Sequence, residues 1–339
     1  MDRMTDDNPD EPVVVTADDV AAAAGLSRWT VARAFKKDAS ISLRSREKVM
    51  AAAERLGYAP DLLAASLASD RSNLVALITN DFNNPHKLVL LERLTRILWT
   101  HGWGTLLANM SDSQDASEAL LAASQRRVDA AVLIGTRFDD RVLDTALGAR
   151  RVRKLVVFAR YSRNLNTLTI ACDDVIGMRE IANHLLDKGC HRPVFIAGPN
   201  TQSAKLHRKD SFVSYWAEMT GKIVDTCHAG GYDLESSISV VTDLFDNRMA
   251  GQRPDVLVCE NDILAMGAVD ALRYRIPTEL GQGIRVTGFD DIPLAASPSY
   301  NLTTYRQPIT AMCEKLLDVL SGRQNDDVFL PGKLIIRDS

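Results

Sequence analysis

Downstream of residue 73 the chain alternates short apolar runs with longer stretches whose apolar positions recur at helical spacing. The runs are LVALIT (74–79), GTLLAN (104–109), DAAVLIG (129–135), KLVVFA (154–159), RPVFIAG (192–198), PDVLVCE (254–260) and IRVTGFDD (284–291). A run without polar alternation predicts a strand covered on both faces, and strands separated by helices predict parallel sheets. There are too many elements for one ordinary sheet. The pattern therefore predicts an α/β core of two doubly wound lobes, with a ligand cleft at the carboxyl ends of the strands.

Upstream, the texture is of short helices. Thr16 followed by Asp19 forms a capping-box pattern, and Gly25 closes the helix it opens. Ser27 caps a second helix, RWTVARAFKK; Ser42 caps a third, LRSREKVMAAAERL, stopped by Gly57. Residues 17–36 fit a helix-turn-helix. Ala21 is the small contact residue, Gly25 the turn, and Val20, Ala24, Leu26, Val31 and Ala34 the apolar set. With Val31 and Ala34 inward, Arg28, Trp29 and Arg33 face outward near the start of the second helix, the part that enters the major groove in this motif. Either arginine can bond guanine O6 and N7, Trp29 can pack on a thymine methyl or a sugar, and Ser27 and Thr30 are placed for phosphates. A solvent-facing Trp without a partner is uncommon.

Charge sharpens this reading. The chain has 339 residues, 46% hydrophobic and 25% charged, with net charge -4. That is globular composition and excludes disordered, collagenous and coiled-coil classes. No global basic field holds it on nucleic acid, so DNA binding needs a local patch. Residues 16–60 supply one, with eight basic against five acidic side chains. Residues 1–15 read as a disordered acidic tail without the apolar core of a signal peptide. No apolar run is long enough to cross a bilayer, so a cytoplasmic protein without membrane contact is expected. The five cysteines (172, 190, 227, 259 and 313) form no CxxC and read as reduced thiols. No P-loop, complete GxGxxG or HExxH is present, and the adjacent pairs Cys190–His191 and Cys227–His228 are poor chelates. No cofactor, metal or catalytic centre is expected.

Taken together, DVAAAAGLSRWTVARAF, SREKVMAAAERLGYAP, LAASLAS, LITNDFNNP, RRVDAAVLIG, HLLDKGCHRPVFIAGP, ENDILAMGA, VTGFDDIPLA, LTTYRQP and LIIRDS resemble, in order and spacing, the lactose-repressor (LacI/GalR) family of transcription regulators. The resemblance runs from Thr16 to Asp338. It implies a helix-turn-helix headpiece at 16–60, a hinge helix at 61–72 and a periplasmic-binding-protein-like core at 73–339. The first lobe is expected at about 73–174 and 304–325, the second at about 175–303 and 326–339. It implies a homodimer on a pseudo-palindromic operator of double-stranded DNA, usually as a repressor. Arg28, Trp29 and Arg33 fall on base-reading positions; Thr16, Ser27, Thr30 and Tyr58 are counted with the DNA contacts. Ala64 and Leu67 fall on the hinge, where Leu67 and its dimer mate would wedge into a minor-groove step. The hinge is too short to be a stable helix alone, so folding it would need DNA and the partner hinge. Asp61, Leu62 and Ala32 depart from the family pattern.

For the core, the resemblance implies an effector site at Arg208, Asn261 and Asp290, with Asp173 a further candidate. These groups suit hydroxyl-rich ligands. Ala159 stands where many members carry Asp, and His86 and Lys87 stand at the expected pocket mouth. With Arg137, Arg160 and Arg208 near, a cationic cleft is expected, favouring a sugar acid or phosphorylated sugar over a neutral sugar. One recognition helix reads only a few base pairs, so two half-sites and a two-fold dimer are expected. LIIRDS is followed by no leucine heptad that would join dimers into a tetramer. The alternative is a solute-binding protein of transport type; the helix-turn-helix and the lack of a signal peptide argue against it.

Overall fold

The computed structural model describes residues 15–36, 39–60, 71–80, 82–110, 116–135, 152–199, 204–248, 253–276 and 282–339. The acidic segment before Val15, the hinge positions Asp61, Leu62, Ala64 and Leu67, and Arg137 lie outside the described residues. The chain divides into two units, Met1–Ser72 and Asn73–Ser339.

The first unit holds helices α1 (Ala17–Ala24), α2 (Arg28–Ala34) and α3 (Leu43–Leu56). Thr16 caps α1 through its hydroxyl, and the Asp19 carboxylate accepts back from the Thr16 N–H at 2.8 Å, which completes the capping box. Ser27 and Ser42 cap α2 and α3. Gly25 sits at φ 64°, a left-handed conformation that glycine takes without steric penalty, and turns the chain into α2. Val20, Ala21, Val31, Ala34, Val49, Ala52 and Ala53 form a small core, with Ala24 and Leu26 packed at its edge. Alanines at the contacts let three short helices approach closely enough to exclude water.

The second unit begins with β1 (Leu74–Thr79), α4 (His86–Thr100), β2 (Gly104–Asn109), α5 (Ala116–Gln125), β3 (Ala130–Ile134), β4 (Leu155–Phe158), β5 (Tyr161–Ser162) and β6 (Leu168–Cys172). It continues with α6 (Asp174–Asp187), β7 (Pro193–Ala197), β8 (Ala204–Lys205), α7 (Arg208–Thr220), β9 (Asp225–His228), α8 (Leu234–Arg248), β10 (Val256–Cys259) and α9 (Asp262–Tyr274). It closes with β11 (Arg285–Asp290), β12 (Thr303–Arg306), α10 (Ile309–Ser321), β13 (Val328–Leu330) and β14 (Lys333–Ile335).

Two six-stranded sheets form, in the orders β13-β6-β4-β3-β1-β2 and β14-β12-β11-β10-β7-β9. The first sheet is parallel throughout; in the second only β14 runs antiparallel. Each sheet carries a buried apolar cluster on either face. All seven apolar runs became strands. GTLLAN departs from the expectation of cover on both faces: β2 is an edge strand with alternating exposure, and Leu107 stands out from the sheet.

The expected lobe limits need correction at the end of the chain. β12, placed with the first lobe from residue 304, pairs with β11 in the second sheet. β13, placed with the second lobe from 326, pairs with β6 in the first. The chain thus passes between sheets after β6, after β12 and after β13. A short antiparallel pair, Tyr161↔Lys205 and Ser162↔Ala204, further ties the lobes together.

Candidate DNA-reading face and effector cleft

On the first unit, Trp29 is 66% exposed, although α2 buries Val31 and Ala34 on its other side. The Arg33 guanidinium lies 4.3 Å from the centre of the Trp29 ring and donates to the Ser40 carbonyl at 2.6 and 3.1 Å. Arg28 pairs with Asp18 across an exposed 3.2 Å contact. Thr16 serves first as the cap of α1, while Thr30 donates its N–H to the capping Ser27 hydroxyl at 3.2 Å and sets its own hydroxyl 2.9 Å from it. Tyr58 packs edge-on against Phe35, with ring centres 5.7 Å apart. The sequence reading missed a structural device: Arg46 of α3 donates to the carbonyls of Ala34, Lys36 and Ala39 at 2.5, 3.1 and 3.4 Å. It satisfies the Ala34 carbonyl at the end of α2 and adds to the 3.4 Å bond that the Lys36 carbonyl accepts from the Ala39 N–H.

The second unit gathers its polar groups where the strands of the two sheets end. Arg208 opens α7 and is buried. Its Nε donates to Asp174 at 3.1 Å, and a terminal nitrogen donates to Asp290 at 3.3 Å and to the Glu260 carbonyl at 2.8 Å. Its guanidinium stacks 3.7 Å from the centre of the Phe289 ring. The flanking carboxylates outweigh the penalty of burial and hold the guanidinium protonated. Asp290 ends β11 at φ 119°, a strained conformation for a residue with a side chain.

Gln307 links this cluster to the first lobe, donating to Asp290 at 2.7 Å and lying 3.0 Å from His86 Nε2. A carboxylate only accepts, so the Gln307 amide nitrogen faces both neighbours. His86 Nε2 must then accept, and its proton sits on Nδ1. Burial lowers the His86 pKa to about 4, against the opposing pull of Asp290. His86 and Lys87 are 5% and 4% exposed, so they are buried rather than at the pocket mouth, and the histidine adds no positive charge near neutral pH.

Asn261 caps α9, its side chain accepting from the Leu264 N–H at 3.1 Å. Of the two acidic residues after β6, Asp173 caps α6, while Asp174 is the buried partner of Arg208. Sequence reasoning chose the former; the run ACDD held the signal, but not which aspartate faces inward. Glu260, Tyr232 and Gln307 were missed as well. Glu260 accepts from the Gly198 N–H at 2.7 Å and from the Tyr232 hydroxyl at 2.9 Å. A side chain on Gly198 would collide with the Tyr232 ring. Arg160 is buried, 5.4 Å from the centre of that ring. The cleft is therefore less cationic than expected around Arg208, whose charge is answered by two carboxylates.

The chain thus sets a helix-turn-helix unit before a two-lobed α/β unit. Residues 16–61 match the family model for bacterial regulatory proteins of the lacI family, and residues 182–339 match that of the periplasmic binding protein-like domain. The chain thus carries a LacI-family helix-turn-helix at residues 16–61 and a periplasmic-binding-protein-like domain at residues 182–339. It is 26% identical to the HTH-type transcriptional repressor PurR of Proteus mirabilis over 316 residues, 91% of this chain and 90% of that protein. It is 27% identical to the ribose operon repressor of Escherichia coli K12 over 313 residues, 91% of this chain and 93% of that protein. In fold it resembles the lac repressor dimer bound to operator and the anti-inducer ONPF. The TM-score is 0.78 at 23% identity, over 95% of this chain and 98% of that one. Among the described residues no helix is long and apolar enough to cross a membrane.

Proposed function

We propose that the protein is a repressor that binds a two-fold operator as a homodimer and is switched by a small-molecule effector, a sugar or sugar derivative, between its lobes. The observation that carries the DNA-binding part is the outward face of α2, where Trp29 stands exposed beside Arg28 and Arg33 on a helix whose other face is packed. Arg28 and Arg33 read bases, Ser27 and Thr30 meet phosphates, and Thr16 and Tyr58 support those contacts. On DNA, Arg33 exchanges the Ser40 carbonyl for a base edge. Ala64 and Leu67 form the hinge contact. In the core, Arg208, Asp290, Asn261, His86, Lys87, Arg160 and Asp173 border the effector site, with Asp173 at its edge. A ligand that re-pairs Asp290, Gln307 and His86 changes how the lobes meet and so biases the switch. The names of the PurR and ribose-operon relatives support the repressor reading.

The test is fluorescence anisotropy with DNA from upstream of the protein's own gene, at two salt concentrations. Wild type binds one fragment tightly and with salt sensitivity. Arg33→Ala weakens binding by about 1–3 kcal/mol and relaxes sequence preference. Equal weak binding to every fragment, unchanged by the substitution, refutes direct readout by α2.

A further inference from the structure

We propose that a cavity beside the Arg208 cluster binds an anionic group, a phosphate or a carboxylate, borne by the effector; this rests on the effector-switched reading above. The cavity is about 130 Å³, and Arg160, Lys205, Lys209, Asp210, Tyr232 and Glu260 line it. Arg160 carries the argument. It is 5% exposed, yet among the described residues no carboxylate lies within ion-pair distance of it, and its guanidinium lies over the face of Tyr232. A buried charge without a counter-charge is costly, and a guanidinium presents a fork of donors that fits an oxyanion.

The backbone holds a second cation beside it. Ala159 adopts φ 60°, directly before Arg160. The next residue, Tyr161, pairs with Lys205 across β5 and β8, which brings one positive residue from each lobe to the same cavity. Lys205 likewise has no ion pair among the described residues. The carboxylates present answer only part of this charge: Asp210 lies 3.7 Å from Lys209, and Glu260 is held by the Gly198 N–H and the Tyr232 hydroxyl, which leaves the cations Arg160, Lys205 and Lys209 in excess over the two acids lining the cavity. The cavity also adjoins the start of α7, whose N-cap residue His207 makes no side-chain cap bond and instead stacks on Tyr161 at 3.8 Å. The uncapped N–H groups and the helix dipole add to the pull on an anion. Neutral hydroxyls would leave this charge unanswered.

The experiment is calorimetry on the full chain at fixed ionic strength. The probes are inorganic phosphate, then glucose, gluconate and glucose 6-phosphate, and ribose beside ribose 5-phosphate. Phosphate binds wild type, Lys205→Gln weakens it about tenfold or more, and Lys205→Arg retains it. Lys209→Gln, measured in parallel, also weakens it, so the result does not depend on one variant folding. At least one anionic compound binds more tightly than its neutral parent, and the order of gluconate and glucose 6-phosphate separates carboxylate from phosphate. The proposal is overturned if phosphate does not bind, if the glutamine variants bind as wild type, or if every neutral sugar equals its anionic partner. Anisotropy on upstream DNA separates the two readings. Anion binding without DNA binding defeats the repressor and leaves the site; DNA binding without anion binding defeats the site alone.

Discussion

Replacing Arg208 with methionine removes the one cation shared by Asp174 and Asp290. Both carboxylates are nearly inaccessible, at 1% and 5% exposure, and their contacts with Arg208 measure 3.1 and 3.3 Å. At an effective dielectric of about 20, each attraction is worth roughly 5 kcal/mol before desolvation is counted. Methionine relieves the burial of the guanidinium but strands two carboxylates, and breaking a buried pair from one side destabilises by about 3–5 kcal/mol. For a body of this size that is a fall in melting temperature of roughly 10 °C, readable by calorimetry or urea titration. Adding Asp174→Asn to Arg208→Met recovers part of the loss, because one stranded charge disappears; the coupling in the double-mutant cycle is about 1–3 kcal/mol. Arg208→Lys falls between, since it keeps the charge but loses the fork and the stacking on Phe289. A loss below about 1 kcal/mol for Arg208→Met, or no coupling with Asp174→Asn, refutes the view that this cluster is held together by charge.

Three further outcomes follow from the same geometry. Burial lowers the His86 pKa from 6.5 to about 4, so the unfolded chain takes up a proton that the native chain refuses. Stability from this group is complete above pH 6.5 and is lost as pH falls toward 4, by about 2–3 kcal/mol; urea titrations at pH 7 and 4.5 show this component in wild type and not in His86→Gln. Arg46→Ala takes the side-chain donor from three carbonyls around the end of α2 and destabilises that region by about 1–3 kcal/mol, seen as faster amide exchange in 28–34 of the intact chain; unchanged exchange rejects the capping role. Gly25→Ala meets no atom within 4 Å, so its effect is purely conformational, a loss of about 1 kcal/mol in the same exchange experiment.

The elements most legible in the sequence were those whose physics is local. Seven strands, six of them buried, announced themselves as apolar runs, and the caps Thr16, Ser27, Ser42, Gly25 and Gly57 marked helix limits to within a residue. Strands outside those runs include Leu168–Cys172, Asp225–His228, Thr303–Arg306, Val328–Leu330 and Lys333–Ile335. Asp225–His228 and Lys333–Ile335 are sheet edges, covered on one side and rich in polar residues, and Thr303–Arg306 opens with two threonines. In the cleft, Arg208, Asn261 and Asp290, expected at the effector site, are buried polar groups. Their partners were harder to foresee, because Gln307 reaches His86 across a separation of 221 residues, and no local pattern encodes such a meeting. Between Asp173 and Asp174, the inward residue is decided by where α6 starts, a one-residue distinction that spacing does not fix.

The interleaved ending of the chain has a consequence for how the protein is made. Residues 328–330 complete one sheet and 333–335 the other, so the first lobe lacks a strand until the former are synthesised and the second until the latter are. Helices α1 to α3 need only residues 16–60 and can form once these leave the ribosome, at about 5–20 residues per second. The nascent chain therefore acquires its helix-turn-helix unit first, while the two-lobed body waits for its two edge strands.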